Sequence, residues 1–176
     1  EVKRLEHEGY QFEAAEGSFE LMARRVLGSY RDRFHLVSFR TIIRRTGEAS
    51  EESEAIVKVE VDGQIHHTVG EGDGPVNALD RALRKALQTA FPAIGQVRLE
   101  DYKVRVLSSS DGTAAKVRVL IESSDGVDAW GTVGVSENII EASWIALADS
   151  LHYKLMKDGL AVGRTAVDGR EKGAAR

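Results

Sequence analysis

Gly70-Glu71-Gly72-Asp73-Gly74-Pro75 is the segment of this chain best suited to chemistry. Its three glycines leave backbone amides accessible just before a pattern that reads as a helix. Exposed amides at a helix start receive a small anion such as a carboxylate. The spacing is not GxGxxG and lacks the Gly-Lys-Ser/Thr ending of a phosphate loop. Read without function, the same triplet is a turn that needs positive φ. Ser136-Glu137-Asn138 holds the corresponding place before a second helix, so two equivalent helix starts frame a small site between or beside them. Asp73 and Asp101 are candidate partners for an ammonium group, and each also reads as a cap or a solvated acid. Tyr102 shares a strand face with Val104 and Val106, a pattern of core as much as of pocket.

Other chemistry finds less support. His66 and His67 are neighbours in a strand and point to opposite faces, so one metal is not chelated by both. Ser18, Thr132 and Ser143 lack the His and acid partners of a nucleophilic triad. Arg24-Arg25 and Arg44-Arg45 read as solvated. With no cysteine, the chain has no disulfide, thiolate metal site or cysteine nucleophile, which fits a cytoplasmic protein. Its 24 basic and 28 acidic side chains give a formal charge of −4, against the basic excess of a nucleic-acid binder. No apolar run approaches the roughly 18 residues of a membrane span. At 176 residues, 42% hydrophobic and 30% charged, the composition is that of a globular protein. The length falls short of the roughly 250 residues typical of a (β/α)₈ barrel.

These residues must be positioned by a repeated unit. Val2 to Glu8 and Gly17 to Leu27 read as two short helices, the second with Phe19, Met22 and Val26 at helical spacing. So short a pair cannot bury its own apolar stripe and has to pack on the body of the chain or on a partner. From Phe34 the period becomes two. Strands at Phe34 to Ile43, Ala55 to Val61 and Gln64 to Gly70 follow, the last two joined by the hairpin signal Asp62-Gly63. Pro75 opens a helix whose face is Val76, Leu79, Leu83, Ala86, Leu87 and Ala90. The order then recurs, with strands at Val97 to Leu107, Ala115 to Ile121 and Asp128 to Val135 and a helix after Asn138. Thr68-Val69-Gly70 matches Thr132-Val133-Gly134 at an offset of 64, which Ala78, Ala82, Leu83 and Leu87 share with Ala142, Ala146, Leu147 and Leu151.

The expected fold class is therefore α+β, a two-layer arrangement of duplicated βββα units with helices on one face of the sheets. A helical linker spans 1–31, the βββα body spans 34–157 with repeats 34–91 and 96–157, and a flexible tail spans 158–176. Since both strand faces carry Ile, Val and Leu, the second sheet face is expected to meet a partner.

Three segments together resemble the C-terminal regulatory region of the 2-isopropylmalate synthase and citramalate synthase family. They are Gly-Glu-Gly-Asp-Gly-Pro-Val-Asn-Ala-Leu from Gly70, Leu-Glu-Asp-Tyr-Lys-Val-Arg-Val from Leu99, and Thr-Val-Gly-Val-Ser-Glu-Asn-Ile-Ile-Glu-Ala-Ser from Thr132. Glu-Gly-Tyr-Gln-Phe-Glu-Ala-Ala-Glu-Gly-Ser-Phe-Glu-Leu from Glu8 is similar to the linker of the citramalate branch. The resemblance implies two βββα units that pair across a homodimer and bind an end-product amino acid, isoleucine or leucine, for feedback inhibition; the linker favours isoleucine. By the same resemblance the effector positions are Asp73, Gly74, Val76 and Asn77; Leu99, Tyr102 and Val106; Thr113 and Ala115; and Ser136, Asn138 and Ile139. The family's catalytic barrel and its divalent metal have no counterpart here, so no catalytic residue, metal or cofactor is expected in this chain. The alternatives are a small enzyme using Asp73 or His66, and a dimerisation domain without ligand.

Overall fold

Valine-rich alternation in 52–61 produces the cleanest strand of the molecule. Ser53, Ala55, Val57, Val59 and Val61 are buried on one face, while Glu54, Lys58 and Glu60 point the other way. A computed structural model of the chain describes residues 1–45, 47, 52–107 and 115–173. Its elements run α1 (Val2–Glu8), α2 (Glu16–Val26), β1 (His35–Arg44), β2 (Glu52–Val61), β3 (Gln64–Gly72) and α3 (Pro75–Leu87). After a 3₁₀ turn at Pro92–Gln96 come β4 (Arg98–Val106), β5 (Val117–Ser124), β6 (Ala129–Ser136) and α4 (Ile139–Gly173). The strands form two antiparallel three-stranded sheets, β1-β2-β3 and β4-β5-β6. This is the duplicated βββα arrangement of an α+β fold. Among the described residues no helix is long and apolar enough to cross a membrane.

The recurring Thr-Val-Gly letters have a mechanical explanation. Thr68 Oγ1 donates to the Ala82 carbonyl at 2.7 Å, and Thr132 Oγ1 donates to the Ala146 carbonyl at 2.8 Å. Two residues on, a Cβ at Gly70 would sit 2.5 Å from the Ala82 nitrogen, and one at Gly134 would sit 2.0 Å from the Ala142 oxygen. Each repeat thus fastens its third strand to its helix by one hydroxyl and one missing side chain. The expected turn over Gly70 to Gly74 is corrected accordingly. Gly70 and Gly72 are strand residues, Gly74 is extended at φ −168°, and positive φ is found at neither Gly70, Gly72 nor Gly74. Close approach of strand and helix, not backbone handedness, requires the first two glycines. Asp62-Gly63, by contrast, has φ of 49° and 78°, as a type I′ hairpin demands.

One core joins both repeats, with Leu79, Leu83, Leu87, Val119, Ile121, Trp130, Leu147 and Leu151 among its members. Phe39 of β1 stacks on Trp144 of α4, ring centres 5.6 Å apart. The segment expected as a linker packs on the body: α2 lies along the β6 edge and against α4, burying Leu21. The other strand faces are not uniformly covered, and Ile42, Ile65 and Val69 stay exposed.

Residues 158–176 are expected as a flexible tail, and 174–176 lie outside the described residues. The α4 backbone stays helical to Gly173. Elongating an existing helix avoids the nucleation cost, and Leu, Ala, Lys and Arg are favourable helix residues.

Candidate functional site

At one end of the first sheet Ile43, Ser53 and Gly72 lie side by side on β1, β2 and β3. Asp73 and Gly74 lead from there into α3. Gly74 is the N-cap and supplies no side-chain bond, and Pro75 occupies the first turn. Among the described residues the Val76 and Asn77 amides find no acceptor, as expected for the first turn of an uncapped helix. Asn77 Oδ1 instead accepts from the Asp73 amide at 3.3 Å. Gly72 is indispensable to this corner, because a Cβ there would lie 2.5 Å from the Ala78 nitrogen. A cavity of about 460 Å³ opens beside it, lined by Ile42, Arg44, Ser53, Glu54, Asp73 and Arg81 among others. Ser53 is 3% exposed, and among the described residues its Oγ finds no hydrogen-bond partner. A buried hydroxyl left unpaired costs about 1–3 kcal/mol, so this one is placed to meet a polar group entering the cavity. Guanidinium and carboxylate groups around the same space suit a zwitterion.

The corresponding end of the second sheet aligns Val106, Val117 and Ser136 across β4, β5 and β6. Here the helix start is closed by its own side chains. Asn138 Oδ1 accepts from the Ile140 amide at 2.8 Å, and Ser136 Oγ accepts from the Asn138 amide at 3.1 Å. Tyr102 is half-buried on the helix face of β4, its hydroxyl 2.8 Å from Ser143 Oγ, which donates to the Ile139 carbonyl at 2.6 Å. Val104, Val106 and Ile139 remain exposed and form an aliphatic margin. Ala115 is buried nearby in sequence, while Thr113 lies outside the described residues. Leu99 sits towards the other end of β4, seven residues from Val106, and packs against the core.

The expected site residues therefore fall into two groups, one per repeat. Asp73, Gly74, Val76 and Asn77 stand at the first sheet end, and Tyr102, Val106, Ser136, Asn138 and Ile139 at the second. No hydrogen bond or ion pair among the described residues joins the groups. The expected equivalence of the two helix starts needs amending. An offset of 64 aligns Gly74 with Asn138, and only the asparagine carries an oxygen able to cap, so of these two starts α3's keeps amides without a partner among the described residues. Asp101 is already engaged by Lys103 and by the Tyr102 amide, and the Lys103 hydrogen bond holds its carboxyl below the usual range. Among the described residues no cluster of His, Asp and Glu is suited to a metal ion.

Ser53 and Arg81 escaped the sequence reading, while Arg44, read there as solvated, lines the same cavity. The signal for Ser53 was its place as the polar member of an otherwise aliphatic strand face. A second network joins residues read singly in the sequence, and it corrects the solvated reading of Arg25, which Asp32 and Asp149 hold. Asp149 of α4 accepts from Ser18 at 2.7 Å and from Arg25 at 2.9 Å, and burial pushes its carboxyl up. His152, one turn on, stacks on Phe34 with ring centres 4.0 Å apart and meets the Tyr30 hydroxyl at 3.2 Å. Desolvation drives its imidazole down to about 3.

A family described as the LeuA allosteric (dimerisation) domain matches residues 13–155. The chain is 56% identical over 158 residues to the (R)-citramalate synthase of Aquifex aeolicus, a match covering 89% of this chain and 30% of that protein. It is 55% identical over 157 residues to the (R)-citramalate synthase of Geobacter sulfurreducens, again covering 89% and 30%. A more distant likeness, 34% over 119 residues, is to the 2-isopropylmalate synthase of Aquifex aeolicus, covering 68% of this chain and 21% of that one. The chain thus spans about a third of the length of the citramalate synthases it matches.

Proposed function

Because this chain belongs to the LeuA allosteric (dimerisation) domain family, we propose that it is the effector-binding part of a citramalate synthase-like enzyme, an acetyl-CoA-dependent 2-oxoacid acyltransferase of branched-chain amino-acid biosynthesis in the cytoplasm. Its ligand is isoleucine, bound where two copies of the domain meet, and its output is feedback inhibition. The observation that supports this reading is an α3 start without a side-chain cap next to a cavity lined by Ser53, whose hydroxyl has no partner among the described residues. The Val76 and Asn77 amides receive the carboxylate, with the helix dipole favouring the negative charge. Asp73, Glu54 or Glu71 receives the ammonium group. The aliphatic margin of Val104, Val106 and Ile139 takes the branched side chain. A two-fold axis brings the second-repeat group of one copy to the first-repeat group of the other, and the exposed aliphatic residues are what such an interface covers.

Relatives named 2-isopropylmalate synthase make leucine the second reading, at lower identity. Telling the two amino acids apart rests on the position of one methyl, worth about 1–3 kcal/mol. Calorimetric titration of the chain with isoleucine, leucine and valine, with sedimentation analysis at each saturation, tests both ligand and dimer. Isoleucine at 100-fold its dissociation constant adds about 2.7 kcal/mol to stability. The absence of heat and of thermal shift with all three amino acids would favour the ligand-free dimerisation domain. The chain alone is expected to catalyse no condensation, and measurable turnover would overturn that expectation.

A further inference from the structure

The linker helix α2 is seated by a polar seam rather than by an apolar face. Its buried residues are Gly17, Ser18 and Leu21, a single large apolar side chain, while Phe19 and Val26 remain exposed. Ser18 Oγ does two jobs at once, donating to Asp149 Oδ2 at 2.7 Å and accepting from the Val133 amide at 3.0 Å. Glu16 Oε1 accepts from the Gly131 amide at 2.9 Å. Arg25 bridges Asp149 at 2.9 Å and Asp32 at 2.8 Å, so one guanidinium ties α2 both to α4 and to the segment that leads into β1. Next to this seam an open cavity of about 260 Å³ is lined by Leu5, Phe12, Met22, Arg25, Ile145 and Asp149 among others.

The first repeat shows what the same place looks like without a linker. An offset of 64 sets His67 against Gly131 and Lys85 against Asp149. A Cβ at position 131 would lie 2.1 Å from the Ala14 oxygen, so a histidine there excludes the chain that crosses the second repeat. A lysine in place of Asp149 would face Arg25 with like charge. Both differences act in one direction: the second repeat alone accepts the linker.

We infer that the Ser18–Asp149–Arg25 seam is a releasable latch, from which α2 detaches as a unit while the second repeat stays folded, uncovering the Gly131 and Val133 amides on the β6 edge. Hydrogen bonds shared through one carboxylate and one hydroxyl break together, which makes release cooperative rather than gradual. Local opening of this kind draws on elements with few buried apolar contacts.

Residue-resolved hydrogen exchange on the full chain tests the latch with D149N and, separately, S18A. The expected result in both is exchange faster by about tenfold or more at Gly131, Val133 and throughout α2, with Val119 and Ile121 in the centre of the sheet unchanged. Unchanged exchange at Gly131 and Val133 in both variants would overturn the inference. So would an equal rise at Val119 and Ile121, because linker and repeat would then open as one. Neither readout involves an amino-acid ligand, so the proposed effector site and the latch stand or fall separately.

Discussion

Asp149 and Lys85 occupy equivalent positions in the two repeats and use opposite charges for opposite ends. Asp149 draws in Ser18 and Arg25 of the linker, while Lys85 reaches back 3.5 Å to the carbonyl of Val69 on the edge of its own sheet. One repeat receives the linker and the other closes its edge with its own cation. On the same α4 helix Ser143 touches Tyr102, six residues before Asp149. That spacing is about 9 Å of rigid helix.

Isoleucine is therefore expected to be felt at the linker. Saturation of the chain should change hydrogen exchange at Gly131 and Val133 relative to the free protein. A ligand shifts the linker only through differential affinity for its two positions. Identical exchange with and without bound isoleucine would break the link between effector and linker while leaving the binding itself intact.

Transplanting the second repeat's cap into the first separates fold from function. Gly74→Asn puts a capping oxygen over the α3 amides, and its backbone is extended with open space around the Cβ. Stability should hold or rise by a few tenths of a kcal/mol, as expected when an N-cap Gly becomes Asn. Affinity for isoleucine, measured by calorimetry, should fall about tenfold or more as the new side chain competes for the amides. Full affinity in this variant would place the carboxylate elsewhere.

Gly72→Ala and Gly74→Ala should diverge although only one residue separates them. The first forces a methyl to within 2.5 Å of the Ala78 nitrogen; the second meets nothing within 4 Å. Urea unfolding should register a loss of about 1–3 kcal/mol for the former and under about 0.5 kcal/mol for the latter. Similar losses in both would refute the close-approach account.

Acid should weaken the fold through His152. Its imidazole titrates at about 3 in the folded chain, against an ordinary value of 6.5. Between those values the unfolded chain holds a proton that the folded chain refuses. Stability from this group is thus complete above about pH 6.5 and declines as the pH falls towards 3, by about 1.4 kcal/mol per unit. Unfolding free energies of the wild type and His152→Phe between pH 4 and 7 should differ in slope by that amount. Equal slopes would show that the histidine is not buried in its neutral form.

Tyr102→Phe should cost about 0.5–1.5 kcal/mol of stability, the worth of one ordinary hydrogen bond, since Ser143 keeps its bond to the Ile139 carbonyl. Thermal unfolding measures this directly, and a much larger loss would mean that Tyr102 serves the core more than the pocket.

The repeat was legible because an offset of 64 aligns strand and helix positions that bury the same faces, and Thr68 and Thr132 report it in letters alone. The fold class followed from it. Gly70 and Gly72 were legible as special, yet their reason lay in a helix that begins only after them, with contacts up to twelve residues on, which local spacing does not reveal. The asymmetry of the helix starts was in principle readable, since Gly74 lacks the oxygen that Asn138 has. The Ser18–Asp149 bond joins residues 131 apart, and no periodicity encodes such a pairing. Ser53 hid for a different reason: a serine inside an aliphatic alternation looks like a tolerated exception until its hydroxyl is found without company.

The threonine bolts and missing Cβ atoms hold β3 tightly to α3 and β6 to α4. Bending either helix away from its sheet would break that hydroxyl bond, so the proposed regulation is expected to act by tilting one repeat against the other or by reseating α2 rather than by distortion within a repeat.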